Sequence, residues 1–159
     1  MIVIALGANL PSPAGLPAAT LRAALVALEE NGITPVEVSP FYRSAAWPDP
    51  SDPEFVNAVA LVATAMEPAE LVSALHRIEA RFGRRRGMRN APRTLDLDLV
   101  DYDGRVEGGP PVLPHPRMVA RAFVLAPLKD IAPGWRHPVS GRSVEELLAA
   151  LPKGEISRL

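Results

Sequence analysis

The order in which hydrophobic periodicity changes along the chain is the strongest constraint on what it can fold into. Met1–Leu6 is a short apolar run that reads as a buried strand ended by Gly7. From about Pro17 to Glu30, Leu21, Leu25 and Leu28 recur at helical spacing, and Asn31-Gly32 supplies a stop. Ile33–Phe41 reads as a strand with Val36 and Val38 alternating. Phe55–Ala63 is a further strand, whose period of two puts Phe55, Asn57, Val59 and Leu61 on one face. Glu67-Pro68 opens a helix with proline in its first turn. Leu71, Leu75, Ile78 and Phe82 form its apolar stripe, His76 and Glu79 lie off that stripe, and Gly83 ends it. Leu95–Asp101 is a strand, followed by a hairpin turn at Asp103-Gly104. Strand, helix, strand, strand, helix, strand is the split βαββαβ arrangement of ferredoxin-like folds. The expected class is therefore α+β: a mainly antiparallel sheet with helices packed on it and a C-terminal helical extension. In that extension a short helix and an extended run cover Arg117–Leu128. Ser143 and Glu146 make a capping box for the last helix. Leu147, Leu148 and Leu151 are its apolar face, and Pro152 stops it.

Composition narrows the function classes. The 159 residues fit one domain, residues 1–159, with 48% hydrophobic and 22% charged residues, as in an ordinary globular protein. A net charge of −1 weighs against a general nucleic-acid binder, so any positive charge that matters must be local. The absence of cysteine excludes thiolate nucleophiles and Cys-ligated zinc. No stretch approaches the length of a membrane span. The run Ile2–Leu6 is too short and lacks the basic flank of a signal peptide. A cytoplasmic monomer with no membrane or nucleic-acid partner is the expectation. The Pro-rich segment 44–54 is long for a loop, either a ligand-binding element or a passive connection.

Asp96 and Asp98 stand two apart in a strand-like run, so their side chains share one face while Leu95, Leu97 and Leu99 take the other. Adjacent carboxylates repel unless a cation sits between them, and Mg²⁺ favours a few carboxylates together with waters and substrate phosphates. Taken alone, an Asp-X-Asp is as readily a solvent-facing strand edge. Arg84, Arg85, Arg86, Arg89 and Arg93 lie directly before it, in a loop over residues 83–94 that Gly83 and Gly87 would let close as a lid. Two acids beside this many guanidinium forks suggest a shared polyanion, and phosphoryl transfer depends largely on such positioning and charge stabilisation. The alternative is a solvated basic loop. Phe55 and Asn57 share a face, a combination suited to a flat heterocycle with hydrogen-bonding edges. Phe123 by itself reads more readily as core, and Trp47 as either a ligand cover or a packing plug. His115, Arg117 and Arg121 cluster after a Pro-rich turn and hint at further phosphate contact. No Walker loop or dinucleotide fingerprint is present.

These residues match a family. Ala91-Pro92-Arg93-Thr94-Leu95-Asp96-Leu97-Asp98 resembles the signature of the 6-hydroxymethyl-7,8-dihydropterin pyrophosphokinase family of folate biosynthesis. Ala5–Leu10, Ser39–Ser44 and Pro114–Arg117 through Arg121 and Phe123 agree in order and spacing, with Phe55–Ala58 and His76–Glu79 between them. The resemblance covers about residues 2 to 151. It implies transfer of pyrophosphate from ATP to the pterin hydroxymethyl group with release of AMP, and a pair of Mg²⁺ ions, bound with ATP, on Asp96 and Asp98. It further implies that Arg84 and Arg93 are catalytic. Phe55 and Phe123 would sandwich the pterin, Asn57 would read its amide edge, and Ser44, Ala45 and Trp47 would complete that pocket. His76, Glu79, Arg86, Leu99, His115 and Arg121 would line the ATP site. Many members carry Trp-Gly where Asn90-Ala91 stands here, and the apolar stretch Gly108–Pro111 lacks a basic residue that some members have.

Two other functions are compatible with parts of the pattern. A nucleic-acid-binding ferredoxin-like module would use the arginine loop and exposed sheet aromatics, without needing the aspartates. A different Mg²⁺-dependent phosphotransferase would keep acids and arginines but not the Phe55, Asn57 and Phe123 pocket.

Overall fold

The structure, a computed structural model, describes residues 1–46, 49–84, 92–154 and 156–159. In chain order the first half comprises β1 (Ile2–Ala8), α1 (Pro17–Glu30), β2 (Thr34–Val38), β3 (Tyr42–Ser44), β4 (Phe55–Ala63) and α2 (Pro68–Arg81). The second half comprises β5 (Asp96–Tyr102), β6 (Glu107–Gly108), β7 (Val112–Leu113), α3 (Ala122–Ile131), α4 (Val144–Ala149) and β8 (Ile156–Arg158). The main sheet runs β5-β1-β4-β3-β8, with β2 also pairing β4. Every pairing in it is antiparallel. Strand order and direction agree with the expected βαββαβ core.

One face of the sheet packs on α1 and α2 through Leu6, Leu21, Leu28, Leu71, Leu75, Leu97 and their neighbours. Full burial of one such side chain contributes roughly 1.5–3 kcal/mol. The opposite face packs on α3 and α4 through Val3, Val59, Leu125, Trp135 and Leu147. The extra residue Val100 bulges β5 between the pairings Ile4–Leu99 and Val3–Asp101. There Asp101 accepts the Trp135 indole N–H at 2.8 Å and so ties α3 and α4 to the sheet. None of the described helices is long and apolar enough to cross a membrane.

The structure departs from the sequence expectation at several points, each with a local cause. β1 does not end at Gly7, because Gly7 pairs with Asn57 on one side and Asp96 on the other and keeps both ladders intact. The strand expected over Ile33–Phe41 is broken. Ser39 replaces a ladder step with its hydroxyl, which accepts the Val59 N–H at 2.9 Å, and Pro40 has no N–H to continue. β2 is consequently an edge on which Val36 points outward, 69% exposed, and Pro35 is tolerated there. Asp103 and Gly104 do form a tight turn with φ of 52° and 70°. The chain after it pairs within a separate β6–β7 ribbon and not back onto β5. Arg117–Leu128 becomes a 3-10 turn at Met118–Ala120 and then α3, which continues past Pro127 to Ile131. Burial of Val124, Leu125, Pro127 and Leu128 outweighs the helix-breaking tendency of that proline. The capping box at Ser143 is present as expected. β8 was not foreseen: Ile-Ser-Arg carries no periodic signal, yet it pairs with β3, and Arg158 binds Asp130 of α3 at 2.6 Å.

Candidate active site

The antiparallel registers set two rows of residues across three strands. Asn57, Gly7 and Asp96 form one row, and Val59, Ala5 and Asp98 the next. Ser44 on β3 stands opposite Phe55 on β4. Residues two apart along a strand share a face, so Phe55, Asn57, Gly7, Asp96 and Asp98 all project toward the side covered by α3. That cover is incomplete at the N-terminal end of the helix. The result is a cavity of about 860 Å³, within the size range of small-molecule sites. Ser44, Ala45, Phe55 and Asn57 line one part of it, and Arg93, Asp96 and Asp98 another. Arg117, Arg121 and Phe123 close it from the α3 side.

The acidic end is densely paired. Asp96 accepts the Arg84 guanidinium at 2.5 Å on one oxygen and Arg93 at 3.1 Å on the other. Arg121 reaches Asp98 at 3.5 Å. Arg84 also donates to Glu79 at 2.8 Å and to the Leu95 carbonyl at 3.3 Å. Burial pushes the Asp96 carboxyl up, but Arg84 and then Arg93 outweigh it and hold Asp96 below the usual carboxylate range. Asp98 goes the other way. Burial and the charge of Asp96 push it up to about 6, which Arg121, Arg84 and Arg93 only partly oppose. Burial, then the charge of Arg121, holds the His115 imidazole below its ordinary value, against a pull from Asp96.

At the aromatic end, Asn57 donates to the Ser44 hydroxyl at 2.8 Å, which fixes the orientation of its amide. Arg93 lies over Phe55, 5.8 Å from the ring centroid, and Arg121 over Phe123 at 5.6 Å. Each arginine therefore joins one aromatic wall to one aspartate.

The structure brings Ser44, Ala45, Phe55, Asn57, Phe123, Arg93, Asp96, Asp98 and Arg121 around a single cavity. Arg84 stands behind Asp96. Glu79 does not lie off the apolar stripe of α2. It is 2% exposed and accepts the Leu97 N–H at 2.8 Å, beneath the site and not along the cavity wall. The spacing misassigned it because a carboxylate on a buried face needs partners from other elements, here β5 and Arg84. Leu99 also departs from the expected ATP wall: its side chain packs with the core against α1 and α2. His76 is on the exposed side of α2, and His115 is half-buried just before the 3-10 turn, with Nδ1 accepting the Arg117 N–H at 3.1 Å. Trp47 lies outside the described residues, and so do Arg85, Arg86, Gly87, Arg89 and Asn90-Ala91 of the lid expected over residues 83–94. Sequence reasoning missed two participants. Gly7 has no Cβ where the amide row meets Asp96, and buried Asn9 binds Arg93. Both lie in the segment Ala5–Leu10 that agrees with the family, but the residues by themselves show only a glycine and a polar residue at the end of an apolar strand.

The family described as 7,8-dihydro-6-hydroxymethylpterin-pyrophosphokinase (HPPK) matches over residues 3–133. The chain belongs to the HPPK family. The 2-amino-4-hydroxy-6-hydroxymethyldihydropteridine pyrophosphokinase of Pseudomonas aeruginosa is 44% identical, covering 99% of this chain and 96% of the relative. That of Synechocystis is 40% identical over 92% of this chain and 73% of its own length. The activity of this chain is transfer of pyrophosphate from ATP to the hydroxymethyl group of 6-hydroxymethyl-7,8-dihydropterin, in folate biosynthesis. The HPPK fold recurs in the solved structure of Plasmodium falciparum HPPK-DHPS with pteroate. There the TM-score is 0.72 at 12% identity, over 93% of this chain and 43% of that one. The chain thus spans less than half the length of that two-part relative.

Proposed function

We propose that the two ends of the cavity divide the reaction between them. The dihydropterin ring lies between Phe55 and Phe123, with Asn57, Ser44 and the backbone at Ala45 reading its amide edge. The triphosphate of ATP lies over Asp96 and Asp98, against Arg93, Arg117 and Arg121. The observation that carries this reading is the continuity of the cavity, in which an amide-and-aromatic pocket opens directly onto paired carboxylates ringed by guanidinium groups. Trp47, Arg86 and His76 remain candidates for the outer contacts.

The donor set fits Mg²⁺. Among the described residues no third His, Cys, Asp or Glu joins Asp96 and Asp98, and Mg²⁺ is typically held by one or two carboxylates with waters and substrate phosphates. Burial of Asp98 beside Asp96 is a charge conflict that a divalent cation between them relieves. Bound there with ATP, a pair of Mg²⁺ ions would neutralise phosphate oxygens and the developing charge.

The residues of the chain supply the rest. The pocket aims the hydroxymethyl oxygen at the β-phosphorus, so that an oxygen–phosphorus bond forms as the bond from β-phosphorus to the AMP oxygen breaks. The hydroxyl proton passes to solvent and AMP leaves. Holding the two reactants in line converts a bimolecular encounter into an intramolecular one, and effective molarities for such alignment reach about 10⁵–10⁸ M. Arg93 and Arg84, which bind Asp96 here, would stabilise the charge on the transferred group by exchanging Asp96 for phosphate oxygens when ATP is bound.

Incubation with ATP, Mg²⁺ and the hydroxymethyl-dihydropterin is expected to give AMP and the pterin diphosphate in equal amounts. Chelation of the metal, Asp96→Ala or Asp98→Ala is expected to remove turnover. Unchanged rates in excess chelator, or in either variant, would rule out the metal assignment.

A further inference from the structure

Asn9 follows β1 directly, is 3% exposed, and uses its whole amide on two other segments. Its Oδ1 accepts the Arg93 N–H at 2.8 Å, and its own N–H donates to the Arg93 carbonyl at 3.1 Å. Leu10 N–H shares that carbonyl at 3.2 Å. The Asn9 Nδ2 donates to the Pro53 carbonyl at 3.1 Å, two residues before Phe55. Asparagine in a loop more often bonds its own backbone two residues on. Here one residue grips the main chain of Arg93 on both sides and ties it to the segment leading into the pterin wall.

We propose that Asn9 is a positioning residue for Arg93, setting where its guanidinium originates so that it reaches both Asp96 and the face of Phe55. A long arginine side chain has much rotamer freedom, and fixing its Cα removes the largest lever arm in where the charge can stand. The distances of 3.1 Å to Asp96 and 5.8 Å to the Phe55 centroid are met from an anchored backbone. The inference rests on the reading that Arg93 acts on the transferred group.

A double-mutant cycle on the full chain separates positioning from general stabilisation. Asn9→Ala is expected to lower kcat by about ten- to a hundredfold at saturating substrates, a loss of the size that misplacement of a reacting group produces. Arg93→Ala is expected to lower kcat at least as far. Added to Arg93→Ala, Asn9→Ala is expected to change kcat by less than about twofold, because what it positions is gone, while its effect on Tm persists. Asn9→Asp keeps the acceptor for the Arg93 N–H and is expected to retain more kcat than Asn9→Ala. It also carries the cycle if the alanine variant does not fold. If Arg93→Ala is nearly as active as the parent, the role of Arg93 is wrong and the inference falls with it. If Arg93→Ala is impaired yet the two losses multiply, Asn9 is a staple of the fold and the inference alone is overturned.

Discussion

Gly7 stands directly opposite Asn57 across the β1–β4 ladder, and a Cβ built on Gly7 would lie 3.2 Å from the Asn57 Oδ1. Its other neighbour in the row is Asp96. The glycine is there for the room it leaves, not for an unusual backbone angle. Gly7→Ala is therefore expected to cost substrate binding more than stability. In a strand interior alanine is favoured over glycine by roughly 0.5–1 kcal/mol, which offsets the strain of displacing the Asn57 amide, so Tm should change little. Dihydropterin affinity, measured calorimetrically, should fall about tenfold or more, in line with the cost of overpacking a fitted site. Unchanged affinity would show that the ring does not lie over this row.

Glu79 is expected to matter first to the fold. Its carboxylate is buried and serves both the Leu97 N–H and Arg84. Glu79→Ala leaves Arg84 without one partner and an amide of β5 without its acceptor. Removing one partner of a buried ion pair costs about 3–5 kcal/mol. Chemical denaturation should show a loss of that order, with kcat falling because Arg84 and β5 shift together. A loss under about 1 kcal/mol would mean that the carboxylate is dispensable beneath the site.

Asp98 gives the metal-free protein a definable pH dependence. Its carboxyl is raised from an ordinary value of 3.8 to about 6 in the fold. A carboxyl raised by folding favours the folded state while protonated. That contribution is complete below the unfolded value and is lost as pH rises through about 6. Asp98→Asn removes the loss. In chelator-treated protein the variant should melt higher than the parent at about pH 8, and the gap should close near about pH 4. Equal gaps at both ends would contradict the burial assigned to Asp98.

Arg117 lines the cavity beside Arg121, and among the described residues no carboxylate pairs with it. Its charge is available to an incoming polyanion. Arg117→Glu is expected to raise the KM for ATP by about tenfold or more, with the KM for the pterin little changed and the effect shrinking at high salt. Arg117→Lys should restore most of the affinity, since a point charge suffices for a contact that is not bidentate. A shift in pterin KM alone would move Arg117 to the other end of the site.

Much of this molecule was legible because its signals are local. The alternation of Asp96 and Asp98 with Leu95, Leu97 and Leu99 fixes which side of β5 faces water and which faces α1 and α2, and the structure keeps that division. The helix over Pro17–Glu30 needed only its stripe and its Asn31-Gly32 stop. What remained illegible depends on partners distant in sequence. Glu79 looks like a solvated helix residue until β5 and Arg84 are placed against it. Asn9 looks like a turn residue until Arg93, 84 positions on, is seen on its amide. β8 exists because β3 offers it an open edge, and Ile156–Arg158 says nothing of that by itself.

The two arginines that each span an aromatic ring and an acid make the ends of the cavity thermodynamically inseparable. A ligand that draws Arg93 away from Asp96, or Arg121 away from Asp98, changes what the opposite wall presents to the second ligand. By linkage the reverse holds with the same factor. On the proposed placement of the two substrates, the affinity of either is then a property of the ternary assembly, and a compound that occupies only one end would also reset the grip of the other.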